Sequence, residues 1–299
     1  VPAEDRQEDL IDLDDEPDLI EPPELSKREQ LKLDATSVAH LRDHLPKNPY
    51  CPACQVGKMI RRSNGKKRIE SNFIPTVFGE QITADHLISW SKKSQRVRGD
   101  KEAVVVYDRA TRWKDCYPVP TKSGDDAYTS LNHFAGPQAK IKAIWSDNSP
   151  ELKYAIKHLG WNQDKNTPGI SQTNALAERQ IRDIQAGART LLVQAGLPAC
   201  FWCYAAPTYC FGTNTKSTPE MPSAYSLRFP NEGDWPHEFI PFGARVHFMR
   251  TPILKGLAKP PKFAPIGCVG ILLGYVVHPG GRWRHEYQVV EIPEFADLD

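Results

Sequence analysis

The chain has 299 residues, 40% hydrophobic and 25% charged, enough apolar content for a core in one large domain or two to three smaller ones. No run approaches the ~20 apolar residues of a membrane span, and the acidic first residues lead us to expect no secretory signal. The net charge of +1 hides a split: residues 1–24 hold eleven Asp/Glu against one Arg, a net of −10 that leaves +11 for the rest, so a body suited to polyanions follows an acidic tail.

In chain order, residues 1–36 are acidic, Pro-containing and poor in aromatics, and are expected to be a disordered or loosely helical linker. The chain opens on Val1 rather than Met, as a piece of a longer polyprotein or a processed product would. Residues 37–70 form a small His/Cys unit with a basic end. Seven cysteines without a secretory signal point to metal ligation or buried thiols rather than disulfides. In "HLRDHLPKNPYCPAC" the spacing is His40-x3-His44-x6-Cys51-x2-Cys54. Histidines four apart share a helix face and a C-x2-C turn brings two thiolates together, which is a Cys2His2 structural zinc set. In so small a unit, metal binding would supply most of the folding energy. Lys58, Arg61, Arg62, Lys66, Lys67 and Arg68 follow at once. They read as a stripe for the DNA backbone, with a solvated linker or a nuclear-targeting run as the alternatives.

Residues 71–232 read as a mixed α/β core. "ITADHLISW", "EAVVVYDRATRW" and "KDCYPVPTK" predict an antiparallel meander of three strands. A helix over 123–134, a short buried strand over 141–146 and a helix over 150–159 come next. Leu176, Ile181, Ile184, Ala188, Leu191 and Leu192 form a three/four-spaced stripe that predicts a long helix over about 173–194, ended by Gly196 and Pro198. An apolar helix follows, in which Cys200, Cys203 and Cys210 read as core thiols. Residues 233–299 turn to β, with "ARVHFM", "CVGILLGYVV" and "HEYQVVEI" separated by Gly and Pro. Three strands, helix, strand, helix and long helices imply a sheet with helices on its faces.

Three acids stand out: Asp85 within the first strand, Asp147 at the end of the fourth, and Glu178 in the first turns of the long helix. If strands one and four are neighbours, their acids lie side by side, and a helix across that sheet edge presents Glu178 to the same point. Three carboxylates in one place need cations; their hard oxygens suit Mg²⁺ or Mn²⁺, and two such ions support in-line phosphoryl displacement. A lone acid at a strand end is as readily a helix cap. His86 beside Asp85 reads as a sheet-packing residue or a substrate contact, and Trp283-Arg284-His285 as a turn or a DNA contact.

At these residues the sequence resembles the integrases of copia-type LTR retrotransposons, within the ribonuclease H-like polynucleotidyl transferases. "SDNSPEL" resembles S-D-N-G-x-E-F, and "TPGISQTNALAER" resembles T-P-x-x-P-Q-x-N-G-x-A-E-R. "GLPACFWCYAAPTYCFGTNTKSTPEMPSAYSLRF" and "PFGARVHFM…KFAPIGCVGILLGY" are similar to the segments that follow that core, so the likeness runs from about residue 37 to 290. Ser149 and Ala175 stand where the family has Gly, and the Asp147–Glu178 spacing is shorter than its usual one. The His/Cys unit resembles the family's HHCC unit with a shortened middle.

The resemblance implies a ribonuclease H-like mixed five-stranded sheet flanked by helices, after an N-terminal His2Cys2 zinc unit and before a small C-terminal β-module. It implies Asp85, Asp147 and Glu178 as a catalytic triad holding two Mg²⁺ or Mn²⁺ ions, Arg182 on a DNA phosphate, and Asn174 ordering the loop into the helix. The activity implied is 3′-end processing and strand transfer of element DNA into target DNA, by a homo-oligomer cut from a larger polyprotein. Its expected location is nuclear and cytoplasmic, in virus-like particles, and neither secreted nor in membranes. The alternatives are an inactive or repurposed nucleic-acid-binding relative and a nuclease of the same fold without joining activity.

Overall fold

The structure, a computed structural model, describes residues 25–59, 74–89, 97, 99–165, 175–249, 262–263 and 266–292. It begins with three short helices, α1 (Lys27–Asp34), α2 (Val38–Asp43) and α3 (Pro52–Gly57). Ser26 and Glu29 open α1 with a reciprocal capping box, so a helical turn pair stands where the acidic linker was expected to end. Ser37 caps α2 by accepting from the His40 N–H, and α2 stops at His44, which adopts a left-handed φ of 55°. Pro52 starts α3, where its missing N–H costs nothing.

The core sheet has strands β1 (Ile82–Ile88), β2 (Glu102–Asp108), β3 (Lys114–Val119), β4 (Ala143–Ser146) and β5 (Asn162–Lys165), in the order β3-β2-β1-β4-β5. The first three form the expected antiparallel meander, while β4 runs parallel to β1 and β5 parallel to β4. This is the mixed five-stranded sheet flanked by helices that the sequence led us to expect. Between β3 and β4 lies α4 (Gly124–Ala135), capped by Ser123, and between β4 and β5 lies α5 (Pro150–Leu159), closed by Gly160 in the left-handed region. After β5 come α6 (Ala175–Ala195), a 3-10 turn at Ala199–Phe201, α7 (Trp202–Thr215) and α8 (Ala224–Arg228).

Alternation along the strands sorts the two faces. Ile82, Ala84, Val104, Val106 and Ile144 are buried against α4 and α5 through Leu131, Phe134, Leu152 and Ile156. Leu87, Ala103, Val105 and Cys116 are buried against α6 and α7 through Ile184, Ala188, Leu191 and Tyr209. Burying each such side chain contributes about 1.5–3 kcal/mol, so a one-residue slip would be heavily penalised. Helices α6 and α7 approach closely because Gly187 has no side chain: a Cβ there would sit 2.3 Å from the Tyr209 ring. Cys203 and Cys210 are buried on α7 and Cys200 packs beside them, as core thiols do.

A second sheet, ordered β6-β7-β8, comprises β6 (Arg245–Met249), β7 (Gly267–His278) and β8 (Arg282–Glu291). It is anchored to α7 by a cluster of Phe211, Trp235, Phe239, Leu272 and Tyr275. Its β7–β8 turn also reaches the core, where the Gly280 N–H donates to the His133 carbonyl over 2.8 Å.

Candidate metal centres

His40, His44, Cys51 and Cys54 are all buried, and their ligand atoms lie within 4.8 Å of one another. His44 Nδ1 is 3.4 Å from Cys51 Sγ and 3.7 Å from Cys54 Sγ, and His40 Nε2 is 3.4 Å from Cys54 Sγ. A tetrahedral ion with Zn–N near 2.05 Å and Zn–S near 2.3 Å requires N···S edges of about 3.5 Å. The donor set therefore fits zinc in both chemistry and spacing. Burial lowers the pKa of His40 and lowers that of His44 to about 4, favouring the neutral imidazoles a metal needs. Burial also raises the Cys54 thiol, a cost that a bound cation would reverse.

This unit is bolted to the long helix. Gln194 Oε1, near the end of α6, lies 3.4 Å from His44 Nε2, so with Nδ1 turned to the ligand site the other nitrogen donates to the amide. A Cβ on Gly57 would meet the Thr190 backbone at 2.8 Å, so α3 rests directly on α6. Lys216 Nζ pairs with Asp43 Oδ1 at 2.8 Å and donates to the Leu45 carbonyl at 2.7 Å. Lys58, expected on the DNA-facing stripe, turns inward: its ammonium donates to the carbonyls of His44 at 2.9 Å and Asp43 at 3.2 Å. Arg61, Arg62, Lys66, Lys67 and Arg68 lie outside the described residues, as does Asn174.

The acids are positioned by strand register. In the parallel β1–β4 ladder the last paired residues are Ala84 and Ser146, and Asp85 and Asp147 are the residues that follow them in the chain. Side chains alternate along a strand. Ala84 points to the α4/α5 face, which puts Asp85 on the α6 face with Leu87 and Val105, its partner on β2. Asp147 is the residue after β4, one step beyond the last paired position of the ladder. The His86 N–H donates to Asp85 Oδ1 at 2.7 Å, and the Ser149 N–H to Asp147 Oδ1 at 3.1 Å.

Glu178 is exposed in the first turn of α6. It lies three residues before Ile181, which packs against the α6 side of the sheet, so both are on one helix stripe. Arg182, one turn on, is exposed, and its Nε lies 3.4 Å from the Glu178 carbonyl. The three carboxylates are not gathered to ligand spacing: among the described residues, the one set of three or more such side chains within 4.8 Å of each other is His40, His44, Cys51 and Cys54.

His86 faces the opposite side of the sheet from Asp85. Its ring is half-buried, its Nδ1 has no hydrogen-bond partner, and burial lowers its pKa, opposed by the charges of Asp147 and Glu151. Glu102 and Glu151 each bury one carboxylate oxygen without a hydrogen-bond partner, and burial raises the Glu102 pKa. Glu151 is the second acid of "SDNSPEL", to which the sequence reading gave no role; Gln194 left no sequence signal, because 150 residues separate it from His44.

No protein-family model matches the chain. The retrovirus-related Pol polyprotein from transposon TNT 1-94 of Nicotiana tabacum is 27% identical over 191 residues, 59% of this chain and 13% of that protein. Those from transposons RE2 and RE1 of Arabidopsis thaliana are 29% identical over 139 residues and 28% identical over 171 residues. They cover 44% and 54% of this chain and 9% and 11% of their own length. The chain thus spans a small part of the curated relatives it matches. Among solved structures, the catalytic core domain of BIV integrase aligns with 52% of this chain and 96% of its own, at 14% identity and a TM-score of 0.39.

Proposed function

We propose that this chain, a homologue of the Pol polyproteins of copia-type plant transposons, is an integrase segment: a metal-dependent polynucleotidyl transferase that processes element DNA ends and joins them to target DNA. The observation that supports this reading is the parallel β1–β4 register, whose last paired residues, Ala84 and Ser146, directly precede Asp85 and Asp147 in the chain.

In this reading Asp85 and Asp147 offer adjacent carboxylate oxygens, and Glu178 supplies a third from the helix crossing that face. Their all-oxygen donor set fits Mg²⁺ or Mn²⁺, which when bound would stabilise the attacking and leaving oxygens of an in-line displacement. Arg182 meets a phosphate and fixes the strand, a positioning contribution. His40, His44, Cys51 and Cys54 hold a structural zinc, and the Gln194 and Gly57 contacts use it to set the pose of α6 and hence of Glu178.

A second reading is a nucleic-acid-binding relative that no longer joins strands, and one observation favours it: the three acids stand apart from ligand spacing. A strand-transfer assay with Mn²⁺ separates the two. The first reading expects joined product that Asp147→Asn abolishes with DNA affinity nearly intact. A parent protein that binds DNA and never joins it establishes the second.

A further inference from the structure

At the end of the sheet away from Asp147 lies a cavity of about 840 Å³. Its walls come from Phe78, which precedes β1, residues 135–139, which precede β4, the segment after α8, and the β7–β8 turn. The core and the C-terminal module therefore build it together. Three arginines line it, Arg228, Arg282 and Arg284, against one acid, Glu232.

Arg228 is the unusual member. It is only 8% exposed, and its Nη2 donates to the Phe134 carbonyl at 2.8 Å. Its Nη1 is buried with no hydrogen-bond partner. Burial lowers its pKa to about 10, opposed chiefly by Asp115, so it remains cationic at neutral pH. The rings of Phe78 and Trp113, 3.9 and 4.6 Å from the guanidinium carbon, hold the group in place. Rings contribute attraction, but they leave the N–H unsatisfied, and a buried donor without an acceptor is costly.

The surroundings are fixed rather than loose. Gly136 and Gly280 touch so closely that a Cβ on Gly136 would be 2.4 Å from the Gly280 Cα, and Gly281 passes within side-chain reach of Arg228 Nη1. Arg282 stacks on Phe229 with its guanidinium carbon 3.9 Å from the ring centre and also contacts Glu232. Arg284 is exposed and forms no ion pair among the described residues. Planar guanidinium forks lining one cavity beside aromatic rings match the oxygens of a phosphate, and a cavity of this size accommodates a nucleotide-sized group.

We propose that this cavity is a binding site for a phosphate group, carried by a free nucleotide or by a nucleic-acid strand, with Arg228 at its floor and Arg282 and Arg284 at its rim. The site is independent of the strand-transfer reading, because none of its residues belongs to the acid set.

The test uses the full chain with zinc bound. Calorimetry with thymidine monophosphate reads the free ligand, and fluorescence anisotropy with labelled oligothymidylate reads the strand. Binding of either probe that weakens about 10-fold per guanidinium removed in Arg282→Ala and Arg284→Ala supports the site. If the mononucleotide binds, the source is a free phosphate ester; if the oligonucleotide alone binds, the phosphate belongs to a strand. Arg228→Lys keeps the charge and loses the fork, and the same drop is expected, together with a lower melting temperature because the bond to the Phe134 carbonyl is lost. Should that variant fail to fold, the two rim variants decide, since both residues are exposed. Binding of neither probe by the parent, or binding that the rim variants leave unchanged, overturns the proposal.

Discussion

The His/Cys cluster and the proposed acid centre of this molecule are built in opposite ways. The His/Cys centre draws all four ligands from fifteen consecutive residues, buries them and holds them at ligand spacing. The acid centre draws one residue each from a central strand, the end of its neighbour and a helix that starts after a further strand, and leaves Glu178 exposed. A structural site needs closure and so can be written locally. A catalytic site needs open positions for substrate, and its ligands come from elements that only the whole fold brings together.

The largest effect that could break this contrast is removal of zinc. Structural zinc contributes about 10 kcal/mol or more in small metal-folded units. Chelation or Cys54→Ser should therefore unfold the three-helix unit and lower the melting temperature of the whole chain. A zinc-free chain that melts where the parent does would show that hydrophobic packing alone closes the centre. At the acid centre the expectation is reversed. Asp147→Asn should cut joining by about 10³-fold, the scale of lost electrostatic stabilisation in a transition state, with almost no change in melting. A large loss of stability there would mean that Asp147 is chiefly the cap of α5.

Two smaller changes probe the connection between the centres. Gly57→Ala forces a methyl group into the Thr190 backbone, and overpacking of this kind costs about 1–3 kcal/mol. It should lower melting while zinc content stays at one per chain, and reduce joining if the pose of α6 matters. Gln194→Ala removes the partner of His44 Nε2 and should weaken zinc about 10-fold, as other losses of outer hydrogen bonds to metal-bound histidines do. A competition titration with a chromophoric chelator would read it.

Much of the fold was legible because its elements carry local marks. The apolar runs of β1 to β3, the Ser123 cap of α4, Pro150 at the start of α5 and the stripe of α6 all appear where their patterns predict them. Strand β5 left no such mark: "NQDK" is polar, and it pairs only because β4 offers it an open edge. The His40–His44 spacing announced the metal pair, yet α2 ends at Asp43, and His44 reaches the site through a left-handed turn instead of a shared helix face. Lys58 was counted with the basic stripe by charge alone. Its neighbours in space, the carbonyls of Asp43 and His44, decide where the ammonium goes. The same holds for Asn214, whose amide bonds both the N–H and the carbonyl of Lys114 and stands in for a missing strand partner. A hundred residues separate the two, so no window along the chain could show it.

The bond between Gln194 and His44 also has a thermodynamic reach beyond its own strength. Linkage is symmetric: if zinc occupancy steadies α6, then anything that steadies α6 from its other end must tighten zinc by an equal factor. Nucleic acid or divalent cation captured at Glu178 would thus be felt as tighter zinc binding about four and a half helical turns away, with no contact between the two.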